Sequence, residues 1–400
     1  MKKIKAKYFF LALCMAVLSY AEAQTESKSF KKHIITNDFI SEGVAVGDVN
    51  KDGQMDILAG PAWFEAPNWT KHDIDTFKTY PPKTTYSHSF LNHCMDINQD
   101  GWPDLIVQDF PGRGATWYEN PGAKKGYWKK YNLFDNVGNE SPLFVDVDGD
   151  GQDDIICGDS KVNQLIWLQA PAKGSTEWKR FPIGEKNLPN THVNAHGLGY
   201  GDINSDGRKD VIIKDGWFEG PTNVKQSNWT FHPADIGEDC SQMQVLDVNA
   251  DGLPDVVSAS AHRYGIWWHP QRKDEKGLRQ FDHWLISYVT SQTHATVMAD
   301  LNGDGAPDLI TGKRYFAHTE WPGNRSTIDP GTYEKPAIYW FEMTPGKRPY
   351  WIEHEIDDDS GIGLNTIAQD MNKDGKPDIV VANKRGVFLF ENLMTPAKPK

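Results

Sequence analysis

Seven copies of one short pattern govern what this chain can fold into. The unit is Asp-x-Asn/Asp-x-Asp-Gly-x-x-Asp, starting at Asp48, Asp96, Asp146, Asp202, Asp247, Asp300 and Asp370. Each copy follows a short apolar stretch such as residues 43–46 and precedes another such as residues 56–59. An aromatic stretch comes next: Trp63-Phe64-Glu65, Trp117-Tyr118-Glu119, Trp217-Phe218-Glu219, Trp340-Phe341-Glu342. A fourth carries Trp69-Thr70-Lys71-His72 or Trp351-Ile352-Glu353-His354. Four strands repeated seven times, at about 50 residues per unit, predict an all-β fold: a seven-bladed β-propeller with four-stranded blades.

The ends of the repeat array predict how the ring closes. The seventh unit runs out after Val387-Phe388-Leu389-Phe390, one strand short, while Phe30-Lys31-Lys32-His33-Ile34-Ile35 matches the pattern of Trp69 to Ile74. The N-terminal strand is therefore expected to complete blade seven, which protects edges that an open array exposes.

Ahead of that strand, Lys2, Lys3, Lys5 and Lys7 precede an apolar run from Tyr8 to Leu18, and Ala21-Glu22-Ala23 fits a small-x-small cleavage site. Residues 1–23 read as a signal peptide and residues 24–400 as one propeller domain, exported to the periplasm or secreted. No segment is apolar enough to span a membrane. The formal net charge of −13 argues against nucleic acid as a partner. Three of the four cysteines, Cys94, Cys157 and Cys240, lie beyond the leader, and an odd number argues against a disulfide framework. Cys240 lies among polar residues and is a minor candidate metal ligand.

These repeats resemble the FG-GAP/VCBS family over nearly the whole chain. That resemblance implies the propeller and leaves function open, because such propellers include adhesive, structural and catalytic proteins.

Spacing 1, 3, 5 and 9 gathers hard oxygen ligands, and glycine at 6 permits a sharp turn, as calcium sites require. The candidate calcium ligands are Asp48, Asn50, Asp52 and Asp56 in the first loop and Asp96, Asn98, Asp100 and Asp104 in the second. Asp146, Asp148, Asp150 and Asp154 form the third, and Asp202, Asn204, Asp206 and Asp210 the fourth. Asp247, Asn249, Asp251 and Asp255, then Asp300, Asn302, Asp304 and Asp308, then Asp370, Asn372, Asp374 and Asp378 complete the set. The alternative is a metal-free turn in which aspartates bond to backbone amides. All seven loops join the first strand of a blade to the second and so share one face.

Function is expected on the other face. Residues entering each first strand include Glu42, His88, Asn92, His93, Glu140, His192, His196, Glu238, Asp239, Cys240 and His294. Glu42, Glu140, His196 and His294 each stand six positions before the first Asp of their repeat, hence at equivalent places around the channel mouth. The links between second and third strands hold Arg113, Lys161, Lys214, His262, Arg263, Tyr264, Lys313, Arg314, Tyr315, Lys384 and Arg385. A cation in six of seven blades, in an acidic protein, predicts a mouth that focuses potential on an anionic ligand. The competing expectation is that these residues only solubilise loops.

Two chemistries fit. Two or three of His88, His93, His196 and His294 could hold zinc, with Glu140 or Cys240 assisting. Alternatively, a neutral histidine or a tyrosine acts as base while an arginine neutralises a substrate carboxylate. On that second reading the catalytic candidates are His196, His294, Arg263, His88, His93 and Tyr264, and the substrate-binding candidates are Arg113, Lys214, Arg314 and Tyr315.

The run His196-Gly197-Leu198-Gly199-Tyr200-Gly201-Asp202 and the Trp-aromatic-Glu strands are similar to those of catalytic propellers of polysaccharide-utilising bacteria. Those include ulvan lyases and ulvan-oligosaccharide dehydratases; the propeller half of fungal aldos-2-ulose dehydratases is also similar. The resemblance implies a carbon–oxygen lyase acting by β-elimination on anionic, uronic-acid-containing oligosaccharides, with a dehydratase at a terminal uronate favoured. An insertion from Lys313 to Lys335, carrying Tyr315, His318, Trp321 and Arg325, is expected to turn an open groove into a pocket. The rivals are an endo-acting polysaccharide lyase and a carbohydrate-binding or adhesive propeller without activity.

Overall fold

The computed structural model describes residues 29–318 and 329–395. The leader, and Trp321 and Arg325 of the insertion, lie outside the described residues.

Seven four-stranded antiparallel sheets follow one another in chain order. In blade one the strands are Ala45–Gly47, Asp56–Ala59, Ala62–Glu65 and Thr70–Asp73, each hydrogen-bonded to the next. Blades two to six repeat that order, and blade five adds a small hairpin of Gln271–Lys273 with Arg279–Phe281. Blade seven takes its outer strand from the other end of the chain: Phe30–Thr36 pairs antiparallel with Gly386–Asn392. The N-terminal strand thus completes the last sheet, as the repeat arithmetic requires.

Burial follows from the stacking. Every residue of Asp56–Ala59, and of its counterparts such as Asp154–Asp159 and Asp378–Asn383, is buried. A second strand pressed on both faces by neighbouring blades is apolar between its ends, and the buried motif aspartate that opens it is bonded to backbone amides. One hydrophobic cluster lies between each pair of neighbouring blades. Leu58 meets Leu105 between blades one and two, and Ile310 meets Phe388 between blades six and seven. Outer strands face solvent, as Thr70–Asp73 does, with three of its four residues exposed.

The aromatic motifs explain themselves as cross-strand staples. Trp63 lies opposite His72, Trp217 opposite His232 and Trp340 opposite His354, with ring centroids 4.2, 4.1 and 4.3 Å apart and planes within 15°. In the first two pairs the histidine Nε2 then bonds the motif glutamate, Glu65 or Glu219, at 2.8 Å. These residues fasten outer strands at about 0.5–1.5 kcal/mol per ring pair, so the motif that resembles catalytic propellers is structural here.

The aspartate loops share one geometry. In loop one the Asp48 carboxylate accepts from the amides of Asp52 and Gly53, at 3.0 and 2.9 Å. Asp56 accepts from Val49 and Ala66, one amide on each oxygen. Gly53 sits at φ 87°, where a side chain is strained, which accounts for glycine at position six of every copy. Burial raises the Asp56 carboxyl to about 7, as it does Asp104 and Asp154. Among the described residues, only loop three brings three candidate metal-ligating carboxylates, Asp146, Asp148 and Asp154, within 4.8 Å of one another.

Candidate functional site

On the face opposite the aspartate loops, a cavity of about 340 Å³ opens among the entering and linking loops. Tyr86, Phe90 and Phe110 form its aromatic side. Glu140, His192 and His196 come from the entries to blades three and four, His262 from the link in blade five, and Arg314, Ala317 and His318 from blade six. The insertion therefore does wall the mouth on one side through Ala317 and His318.

The equivalent positions of the repeat converge as expected. Glu140, His196 and His294 are all buried, and each offers one ligand atom within 4.8 Å of the others. The His196 Nε2 lies 3.3 Å from Glu140 Oε2. The His294 Nε2 has no hydrogen-bond partner despite full burial, a state that costs free energy unless something else satisfies it. Burial alone would raise the Glu140 carboxyl, but His196, Arg314 and His318 outweigh it and hold it at about 2. Burial disfavours a charged His196 ring, yet Glu140 raises it above the ordinary imidazole value. His294 is held well below that value by burial and by Arg314, His196 and His262.

A second group adjoins the first. His262 Nδ1 and His318 Nδ1 both approach Asp329 Oδ2, at 3.3 and 2.7 Å, with the two rings stacked 4.8 Å apart. Burial would raise the Asp329 carboxyl, but hydrogen bonds from the two imidazoles keep it well below the usual carboxylate range. Asp329 carries no repeat signature and had no counterpart in the sequence reading. His262 was visible only as one linking residue among many, and His318 only as part of the insertion. Both groups are chemically able to hold a metal ion.

Most of the linking-loop cations do not stand free around the mouth; Lys161 alone among them is exposed without an ion pair among the described residues. Arg314 is 1% exposed and bonds Glu42 Oε1 at 3.0 Å. Lys384 is buried 3.9 Å from the same oxygen, and burial lowers it to about 7. Burial raises the Glu42 carboxyl against the pull of both. Lys313 is buried on Gln292 Oε1 at 3.0 Å. Lys214 pairs with Asp239, Arg263 with Glu238, Arg113 with Asp109 and Arg385 with Asp359. The expected positive ring is thus largely neutralised, and Arg314 alone of these cations lines the cavity, its Nε buried and unpartnered.

The remaining candidates are dispersed. His88 is exposed on Asp109 and Arg113. His93 stacks on Phe144 at 4.3 Å and bonds Asp153, a residue of the third aspartate loop, so it faces away from the mouth. The Arg263 side chain is 71% exposed. Tyr264 bonds Glu334 outside the cavity, and Tyr315 packs on Phe316 and Arg385. Cys240 lies in the loop between Thr230–Pro233 and Gln244–Leu246 but is buried there under Gly197, and burial raises its thiol to about 12; it is outside the groups of candidate ligands among the described residues. Cys94 and Cys157 are free as well.

No helix among the described residues is long and apolar enough to cross a membrane. Comparison with curated proteins finds no significant sequence match. Among solved structures the fold is similar to that of an exotype rhamnogalacturonan lyase, YesX, at TM-score 0.46 and 10% identity, over 93% of this chain and 74% of that one. Residues 96–157, 146–213 and 247–311 match the FG-GAP-like repeat family, so the chain is a seven-bladed propeller carrying FG-GAP-like repeats.

Proposed function

We propose that this propeller is an exported carbon–oxygen lyase that acts by β-elimination on a terminal uronate of an acidic oligosaccharide, with loss of water favoured over chain cleavage. One observation carries the reading: two buried imidazoles, His196 with its Nε2 3.3 Å from Glu140 and His294 with an unpartnered Nε2, meet that carboxylate beside a cavity that also presents Arg314. Removing the C5 proton of a uronate piles charge on its carboxylate, and a fixed cation at that point lowers the barrier. Arg314 supports that role, held in place by Glu42.

Zinc on Glu140, His196 and His294 would supply further Lewis-acid neutralisation of the same carboxylate. The imidazole of His192 and the phenol of Tyr86 line the cavity outside the histidine cluster; His192 is the proton acceptor, and Tyr86, whose O–H donates to the Ala317 carbonyl at 3.0 Å, is a proton donor. The step balances simply. His192 takes the C5 proton, the C4–O bond breaks, a C4=C5 double bond forms, and the leaving oxygen takes a proton from the Tyr86 hydroxyl and departs as water. Phe90 and Phe110 offer apolar faces for the sugar ring. About 340 Å³ lies at the lower end of small-ligand pockets, which favours one terminal residue over a long chain.

The test is ultraviolet absorbance of an unsaturated uronate on incubation with uronate oligosaccharides, with product length measured in parallel. Absorbance at unchanged chain length supports the dehydratase, and shortened chains favour the endo-acting lyase. Absence of any new absorbance leaves a carbohydrate-binding propeller. His196→Ala and His294→Ala should each lower the rate at least ~100-fold.

A further inference from the structure

We infer that His262 and His318 join His196 and His294 in one four-imidazole centre for a d-block divalent cation, with Glu140 beside it and Asp329 holding two of the rings from behind. The inference deepens the metal part of the reading above and does not depend on its sugar chemistry.

The first argument is the state of the far nitrogens. His294 Nδ1 bonds the Gln292 carbonyl at 3.1 Å, and His262 and His318 direct Nδ1 at Asp329. His196 directs its Nε2 at Glu140 Oε2, 3.3 Å away, the carboxylate beside the proposed centre. An oxygen acceptor at Nδ1 fixes the Nδ1–H tautomer and leaves the lone pair on Nε2. Three rings therefore carry the outer-sphere bond that metal-ligating histidines need, from a carbonyl in one case and a carboxylate in the other two. A histidine merely satisfied in a core has no reason to repeat this arrangement three times.

The second argument is spacing. Ring centroids lie 4.5 Å apart for His196 and His262, 4.8 Å for His262 and His318, and 5.6 Å for His196 and His294. His262 and His294 stand 5.7 Å apart, and His294 and His318 6.4 Å. Imidazoles bound through Nε2 at about 2.1 Å put each ring centre roughly 3.2 Å from the ion, hence about 4.6–5.3 Å from one another in octahedral or tetrahedral geometry. Separations of 4.5 and 4.8 Å are those of adjacent ligands, 6.4 Å is that of opposed ones, and 5.6 and 5.7 Å fall between, with the four rings coming from three different blades. Imidazole donors suit zinc, cobalt, nickel, copper and iron, whereas calcium and magnesium prefer oxygen. The centre is thus chemically distinct from the aspartate loops on the opposite face.

The test is a cobalt titration of protein stripped with a chelator, run with excess calcium to saturate the aspartate loops. The expected result is one cobalt per chain with visible d–d absorption of a nitrogen-rich site. His262→Gln and His318→Gln should each weaken cobalt at least ~10-fold and alter the spectrum, and Asp329→Asn should weaken it about 10-fold through the orientation of both rings. Melting curves of the metal-free variants must match the parent; where one does not, His262→Ala or His318→Ala is read in its place. A parent that takes up no cobalt, or glutamine and alanine variants with parental affinity and spectrum, would overturn the inference. Cobalt uptake as expected without any elimination of uronates would leave the centre standing and sink the lyase.

Discussion

Phe30→Ala tests whether the N-terminal strand closes the ring. Phe30 is 4% exposed and sits where blade seven meets blade six. It packs among Ile338, Trp340 and Ile356 of blade six and Phe388 and Phe390 of blade seven. Its register partner Asn392 reaches across to the Leu301 carbonyl at 2.8 Å, so the strand joins two blades as well as finishing one. Emptying such a site costs about 3–5 kcal/mol in lost transfer energy and cavity. At about 2.1 cal/mol/K of unfolding entropy per residue, a chain of this length loses roughly 1.2 °C per kcal/mol, hence roughly 4–6 °C for this substitution. Lys31→Ala is the control. Its side chain is 60% exposed and only loosely paired with Glu391 at 3.4 Å, so it should move the midpoint by under about 1 °C. The assay is thermal unfolding followed by calorimetry and near-ultraviolet circular dichroism. Closure by this strand is refuted if Phe30→Ala melts within 1 °C of the parent in a single transition, because the seam would then not hold the ring.

Excess chelator should lower the melting temperature by stripping calcium from the aspartate loops, loop three first, because it gathers Asp146, Asp148 and Asp154. A site filled at 100 times its dissociation constant contributes about 2.7 kcal/mol, and an unchanged melt with no calcium in the purified protein would return the loops to backbone-bonded turns. Burial, with His283 adding to it, lowers His269 to about 3. The folded state then resists a proton that the unfolded ring accepts near 6.5, so this contribution is complete above pH 6.5 and lost as pH falls toward 3. His269→Gln should remove about 2 kcal/mol of the stability difference between pH 7 and pH 5 in urea melts, and identical pH dependence in parent and variant would contradict it.

The fold was legible because a propeller repeats its constraints. Glycine at position six and a fully buried second strand recur at fixed phase, so one blade reads for seven. The same phase located Glu140, His196 and His294, whose offset from the first Asp is six in each case. It failed for the cations because the linking loops differ in length. Lys214 stands four residues after Asp210, Arg314 six after Asp308 and Arg113 nine after Asp104. Residues at unequal offsets do not share a place around the mouth, and these three end against Asp239, Glu42 and Asp109 respectively. Asp329 was invisible for a related reason: it belongs to an insertion, where no repeat supplies a phase.

The buried network beneath the cavity changes how an anion can be recognised there. With Arg314 and Lys384 set against Glu42, and Lys214 set against Asp239, charges of both signs alternate around the mouth. Such a surface has little long-range field, so selection of a carboxylate must rest on short, directional contacts. The unpartnered Nε of Arg314 and the unpartnered Nε2 of His294 are contacts of that kind. Glu42 fits the same logic. A buried carboxylate gives no gain in stability over an apolar residue of its size unless its cations need it, and here it fixes the guanidinium that faces the cavity while occupying the repeat position held by Glu140, His196 and His294 in other blades. One position of the repeat thus supplies candidate metal ligands on three blades and, on a fourth, the anchor for the only linking-loop cation among the described residues that reaches the cavity.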